Sequence, residues 1–218
     1  MKVLSLEWRG EEVRVVSEDG TLEILAETAL AKGLREGTEL EDLEGLLHED
    51  QVRRAKKVAF RYLARARTTK QVREKLLEEG FGEDVVGEVV GRLEELGLLD
   101  DREFARAWVE ERLRLRPRWR RALKEELLRK GISEEVAEEA LDEELSEVDE
   151  ARLAEGLLRR AEGRYRNLEP DKALRRMRDF LLRRGFSWEA VKEVTRKLRK
   201  EWFSDEVGRD KGEVPEVL

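Results

Sequence analysis

One five-residue signature, two leucines, two charged residues and a glycine, is written three times along this chain: Leu76-Leu77-Glu78-Glu79-Gly80, Leu127-Leu128-Arg129-Lys130-Gly131 and Leu181-Leu182-Arg183-Arg184-Gly185. Each glycine is followed by an apolar residue, Phe81, Ile132 or Phe186, and then by Gly82, Ser133 or Ser187, residues suited to open a helix. Two leucines in the last turn of a helix would bury its final apolar contact, and the glycine can close that helix in the left-handed conformation without a Cβ clash. Helical stripes follow each copy: Val85, Val86, Val89, Val90 and Leu93; then Val136, Ala137, Ala140, Leu141 and Leu145; then Ala190, Val191, Val194 and Leu198. A chain that repeats one supersecondary unit in this way is constrained to a repeat architecture.

The units extend upstream of their signatures. A helix through Val52, Ala55, Val58, Ala59, Tyr62 and Leu63 begins the first, and Thr68 with Gln71 reads as a capping box for the helix of Val72, Leu76 and Leu77. In the second, Asp100 with Glu103 opens a helix through Phe104, Ala105, Trp108 and Val109, and Pro117 marks its end or the start of the helix of Leu123 and Leu127. In the third, Ser146 reads as the cap of a helix through Ala151, Ala154, Leu158, Ala161 and Tyr165. Asn167-Leu168-Glu169-Pro170 breaks it before Met177, Leu181 and Leu182, and Trp202 closes the last helix.

The N-terminus reads differently. Leu4, Leu6 and Trp8 alternate on one side of a strand, Val13 and Val15 continue the period of two, and Ser17-Glu18-Asp19-Gly20 turns into a third strand at Leu22 and Ile24. Thr28 is expected to cap a short helix ended by Gly33, and Thr38 with Glu41 to box a helix bearing Leu40, Leu43, Leu46 and Leu47. The expected fold is mainly α, with a β-rich module over 1–50, three-helix repeats over 51–98, 99–146 and 147–203, and a flexible tail over 204–218.

Charged residues make up 44% of the chain and hydrophobic ones 39%, so each unit has a thin core. The absence of cysteine excludes disulfides, thiolate chemistry and cysteine-based zinc sites. Met1 to Glu7 lacks the apolar core of a signal peptide and no apolar run approaches bilayer length, so a cytoplasmic protein without a membrane partner is expected. The net charge of −7 hides a segregation: 1–50 is acidic, whereas 51–79, 112–130 and 152–184 are basic. Such a chain can present a basic surface to a polyanion despite its overall acidity.

At this point the chain resembles the RecX family, bacterial regulators of the RecA recombinase. The resemblance rests on Tyr62-Leu63-Ala64-Arg65; on Leu98-Leu99-Asp100-Asp101 followed by Phe104-Ala105; on Glu126-Leu127 with Lys130-Gly131-Ile132; and on Phe180-Leu181-Leu182-Arg183-Arg184-Gly185-Phe186. Residues 1–50, including Gly33-Leu34-Arg35-Glu36-Gly37, resemble the hairpin-bearing extension of longer members. One departure is Arg114-Leu115-Arg116-Pro117, where the family often has a glycine in the link. The resemblance implies three tandem three-helix repeats in a curved array that lodges in the groove of the RecA–DNA filament and inhibits recombinase, ATPase and coprotease activities.

The residues that could serve such a role are Arg112, Arg116, Arg118, Arg120, Arg121 and Lys124, with Arg114 between them, and in the third unit Arg159, Arg160, Arg175, Arg176 and Arg178. The plain alternative is a solvated helix face; the recurrence of basic blocks in register with the repeat sets contact with an acidic filament surface or phosphate on an equal footing with it. Trp119 invites base stacking, but its spacing with Leu123 and Leu127 favours burial, as does that of Trp108. A helix–turn–helix reader of DNA is disfavoured because Glu83-Asp84, Glu134-Glu135 and Trp188-Glu189 open the third helices. His48, the single histidine, reads as a surface residue at a helix end, and Glu134, Glu135, Glu138 and Glu139 as a solvated face. The expectation is a non-catalytic monomer, without metal or cofactor, whose partner is the RecA filament on DNA, with weak direct DNA binding at most. The rival readings are a general nucleic-acid-binding helical protein and a scaffold for another partner.

Overall fold

A computed structural model describes residues 1–203; the tail expected at 204–218 lies outside the described residues. The chain divides into two compact units, Met1–Asp101 and a second that begins at Arg102.

The first unit opens with an antiparallel meander of β1 (Val3–Arg9), β2 (Glu12–Ser17) and β3 (Gly20–Leu25), in that spatial order. Leu6 pairs with Val15 and Trp8 with Val13 on one face of the sheet; Leu6, Val13 and Val15 join the core, whereas Trp8 at the far end of β1 stays half exposed. Leu4 does not join them. The register slips between Val3 and Ser5, and the extra residue turns Leu4 outward while Val3 enters the core.

Helix α1 (Ala26–Ala31) follows directly. Thr28 does not cap it: Leu25 occupies the cap position, and the buried Thr28 hydroxyl points elsewhere, as described below. The expected box at Thr38 is also absent. Residues 37–40 run beside the start of β1, with Val3 N donating to Thr38 O and Gly37 N to Val3 O, each at 2.9 Å, and this extended path cannot begin a helix. The Thr38 hydroxyl accepts from Arg35 N at 3.0 Å instead, and Asp42 caps α2 (Leu43–Tyr62) by accepting from Gly45 N at 2.8 Å.

The 20-residue α2 is continuous across position 50, so the sheet's supporting helix and the first helix of the first repeat are one element. His48 accordingly lies in the second turn of a long helix and not at a helix end. Asp50, 3% exposed, ties the element to the sheet. Its Oδ1 accepts from Leu25 N and from the Thr28 hydroxyl, both at 2.7 Å, and its Oδ2 accepts from Arg54, which reaches Glu12 on β2.

Helices α3 (Thr69–Glu78) and α4 (Glu83–Glu95) complete the first repeat around Val52, Ala55, Ala59, Val72, Leu76 and Val86. The capping box is present, with Gln71 N donating to Thr68 Oγ1 at 3.3 Å and Thr68 N to Gln71 Oε1 at 3.2 Å.

The second unit holds α5 (Asp101–Leu115), α6 (Arg120–Arg129) and α7 (Glu134–Leu145), then α8 (Glu150–Arg160), a 3₁₀ turn at Glu162–Arg164, α9 (Pro170–Arg183) and α10 (Trp188–Phe203). Ser146 ends α7 rather than capping α8; its hydroxyl donates back to Glu143 O, and Asp149 takes the cap by accepting from Arg152 N at 2.9 Å. Trp202 is buried in the last turn of α10.

The three glycine turns superimpose in chemistry. Gly80, Gly131 and Gly185 have φ of 90°, 90° and 86°. In each, the apolar residue after the glycine donates its N–H to the first leucine: Phe81 to Leu76 at 3.2 Å, Ile132 to Leu127 at 3.1 Å and Phe186 to Leu181 at 3.3 Å. Only that first leucine is buried. Leu77 and Leu128 are exposed, because adjacent helical residues point about 100° apart and cannot both face one core.

Candidate functional site

The basic residues singled out in the second repeat are largely spent on the fold. Glu126, in α6 and only 9% exposed, collects three donors: Arg112 Nε at 2.8 Å, Arg118 Nη1 at 2.9 Å and Trp108 Nε1 at 3.1 Å. Arg112 also lies over the Trp108 ring, 3.7 Å from its centroid. One turn of α6 faces α7 through a second network. Arg120 pairs with Glu138 at 2.6 Å and with Asp142, and Lys124 with Glu134 at 2.6 Å and Glu138 at 2.7 Å. These contacts raise the Lys124 pKa, chiefly through the hydrogen bond to Glu134, and hold Glu138 below the usual carboxylate range, chiefly through Lys124. The acidic face of α7 is therefore part of an ion-pair layer.

Arg121 and its neighbours join the second repeat to the third. The guanidinium of Arg121 donates to Leu182 O at 2.6 Å, Trp119 N donates to Arg184 O at 2.8 Å, and Arg184 Nη1 donates to Pro117 O at 3.1 Å. Trp119 stacks on Phe186 with centroids 6.1 Å apart and planes 11° from parallel, half-buried between the two cores. Gly185 is required here twice over. Beyond its positive φ, a Cβ at this position would stand 2.4 Å from Ala122 N.

In the third repeat Arg159 pairs with Glu155 and Glu201, and the Glu201 contact leads the forces that push its pKa upward. Arg178 keeps its Nε buried without a partner, its guanidinium 5.9 Å from the Trp188 ring centroid. Arg116, Arg160, Arg175 and Arg176 form no ion pair among the described residues. The structure thus separates the eleven candidate cations into a bonded set around α6 and a set with available charge, mostly around α8 and α9.

Sequence reasoning overlooked a related group. Tyr165, which ends the 3₁₀ turn, lies in the field of Arg164, Arg183, Arg184 and Arg176; burial raises its pKa and these cations oppose the rise. Arg184, the C-cap of α9, is pushed down by burial and by repulsion from Arg118. The available signal was within the repeated signature itself: its charged pair is Glu78-Glu79 in the first copy and Arg183-Arg184 in the third.

No group of three or more His, Asp or Glu side chains among the described residues is placed to hold a metal ion, and no helix among them is long and apolar enough to cross a membrane.

Residues 55–93, 100–141 and 148–195 match, in that order, the first, second and third three-helix domains of RecX. A relative from Amycolatopsis mediterranei (strain U-32), named regulatory protein RecX, is 37% identical over 153 residues, which span 68% of this chain and 87% of the relative. The chain belongs to the RecX family. The regulatory protein RecX of Clostridium perfringens (strain SM101 / Type A) is 29% identical over 209 residues, covering 90% of this chain and 96% of that one, so the match reaches into the N-terminal module. Among solved structures, a crystal structure of regulatory protein RecX aligns over 89% of this chain and 97% of its own with a TM-score of 0.68 at 22% identity. RecX from Lactobacillus salivarius covers 69% of this chain and 97% of its own with a TM-score of 0.61 at 24% identity; both likenesses show the shared fold. The protein is a RecX-type regulator built from three-helix repeats.

Proposed function

We propose that this protein binds the RecA recombinase filament on DNA and lowers its strand exchange, ATP turnover and coprotease activity without catalysing a reaction itself. The observation that carries this reading is the ordered succession of all three RecX domains within one chain whose relatives are named regulatory proteins. Three linked units suit a periodic partner, because each weak contact raises the effective concentration of the next. The contact surface is assigned to the cations with available charge, Arg116, Arg160, Arg175 and Arg176, with Arg178 beside them. Arg112, Arg118, Arg120, Arg121, Lys124 and Arg159 support that surface from within the fold. The protein acts as a monomer in the cytoplasm in this reading.

The test is the DNA-dependent ATP turnover of RecA from the same organism, titrated with this protein from substoichiometric amounts to excess. Inhibition well below equimolar amounts is the expected result and points to action on the filament. Full turnover at saturating excess of folded protein would remove RecA as the partner.

A further inference from the structure

The third repeat gathers a group of arginines that form no ion pair among the described residues. Arg184 Nη1 is anchored on Pro117 O at 3.1 Å, and its guanidinium carbon lies 4.5 Å from the Phe180 ring centroid. It forms no ion pair with a carboxylate among the described residues, and Arg118, another cation, repels it. Arg164, Arg176 and Arg183, all exposed, act with it on Tyr165 and likewise form no ion pair among the described residues. A guanidinium does not shed its proton at any ordinary pH, so the repulsion persists until an anion enters.

This contrasts with the basic row of α6. There Arg120 and Lys124 meet three carboxylates, Glu134, Glu138 and Asp142, and an incoming polyanion would have to displace them. On α9 the geometry favours a row of anions over a single one. Arg176 and Arg183 are seven residues apart, nearly two helical turns, on one face, a rise of about 10.5 Å. Two cations set along one helix face in this way can meet successive charges of an extended polyanion, whereas a single small anion could reach only one of them. The arginine fork is also shaped for bidentate contact with phosphate oxygens. Asp179 interrupts the row; it is exposed and makes no ion pair among the described residues.

We propose that the arginine cluster of the third repeat, Arg164, Arg176, Arg183 and Arg184, binds the phosphodiester backbone of nucleic acid. The assignment rests on the filament reading for its setting, and deepens it by giving the filament's DNA, rather than its protein, to this face.

The test uses the full chain and fluorescein-labelled oligonucleotides, single-stranded and duplex, with binding followed by anisotropy over a salt series. The double variant Arg176→Gln with Arg183→Gln removes two exposed cations that hold no fold contact. It is expected to weaken binding about tenfold and to lower the slope of log affinity against log salt by about 1.4 to 1.8. Asp179→Asn, which cannot act by unfolding the chain if it improves binding, is expected to tighten it. Arg120→Gln with Lys124→Gln is expected to leave the slope unchanged.

Three results would overturn the proposal: no binding of the parent chain to either oligonucleotide, an equal loss in both double variants, or displacement by polyglutamate as effective as displacement by polyphosphate. The last would assign the cluster to an acidic protein surface. RecA inhibition is read separately. Inhibition that survives when the cluster proves irrelevant to DNA binding leaves the filament reading intact, and cluster-dependent DNA binding without any effect on RecA removes only that reading.

Discussion

Asp50 accepts a hydrogen bond from the Thr28 hydroxyl at 2.7 Å from a position 22 residues further along the chain, and so fastens α1 to the middle of α2. The same carboxylate oxygen takes Leu25 N, and the other takes Arg54, which carries the connection on to Glu12. A buried carboxylate with this many donors is a pin whose loss strands every partner at once.

Asp50→Ala is therefore expected to destabilise the first unit by roughly 3 to 5 kcal/mol, the range for breaking a buried pair by removing one partner. Asp50→Asn keeps one acceptor and loses less. Urea denaturation followed by circular dichroism checks both, and a loss under about 1 kcal/mol for the alanine variant would show that water replaces the carboxylate at little cost.

Gly185→Ala and Gly80→Ala differ only in surroundings. Both glycines have positive φ, at 86° and 90°, and both substitutions incur the left-handed strain of about 1 to 2 kcal/mol. At Gly80 nothing lies within 4 Å of the added carbon, whereas at Gly185 the backbone atoms Ala122 N and Trp119 O lie at 2.4 and 2.9 Å. The Gly185 variant should lose clearly more stability in the same denaturation assay; equal losses would mean that the repeats separate freely at this turn.

His48 provides a pH readout that no other histidine obscures. Its Nε2 lies 3.0 Å from Glu88 and its Nδ1 3.3 Å from Asp84, and the hydrogen bond to Glu88 leads the forces that raise its pKa above the ordinary 6.5. A group whose pKa rises on folding stabilises the protein fully below its unfolded pKa. That contribution fades as pH climbs through the higher folded value. Nuclear magnetic resonance titration of the imidazole should give a midpoint above 6.5 that falls in Glu88→Gln, and a midpoint unchanged by that substitution would assign the rise to Asp84 instead.

Glu126→Gln should weaken the grip on Arg112 and Arg118 while keeping an acceptor for Trp108. A charged hydrogen bond contributes about 1.5 to 3 kcal/mol, so a loss of that order is expected. Because the substitution also unmasks positive charge in the second repeat, affinity for a polyanion should rise or stay level; a drop at full folding would mean that the paired arginines are themselves the contact.

The glycine turns were legible because everything they need is local: a leucine, a residue able to adopt positive φ, and an apolar residue immediately after it. The capping box at Thr68 and Gln71 was legible for the same reason, its two hydrogen bonds spanning three residues. Thr28 and Thr38 carried the same local signal and went elsewhere, one to a carboxylate on another helix and one into an extended segment beside β1. Leu4 followed the alternation of its strand until a bulge, set by pairing with β2, turned it outward. For the candidate site, the basic blocks were visible in composition, but their pairing was not. Arg120 and Glu138 are 18 residues apart, and their meeting depends on how α6 packs against α7. Sequence proximity suggested one arginine-rich surface, whereas packing divides it into charges already answered and charges still open.

The continuity of α2 gives the N-terminal sheet a fixed bearing on the first repeat, like the arm of a compass set on a shaft. One residue added to that shaft between Asp50 and Val52 would swing the sheet by about 100° and advance it by about 1.5 Å. Any change of length in this helix must therefore come as whole turns if the β-strands are to keep looking in the same direction.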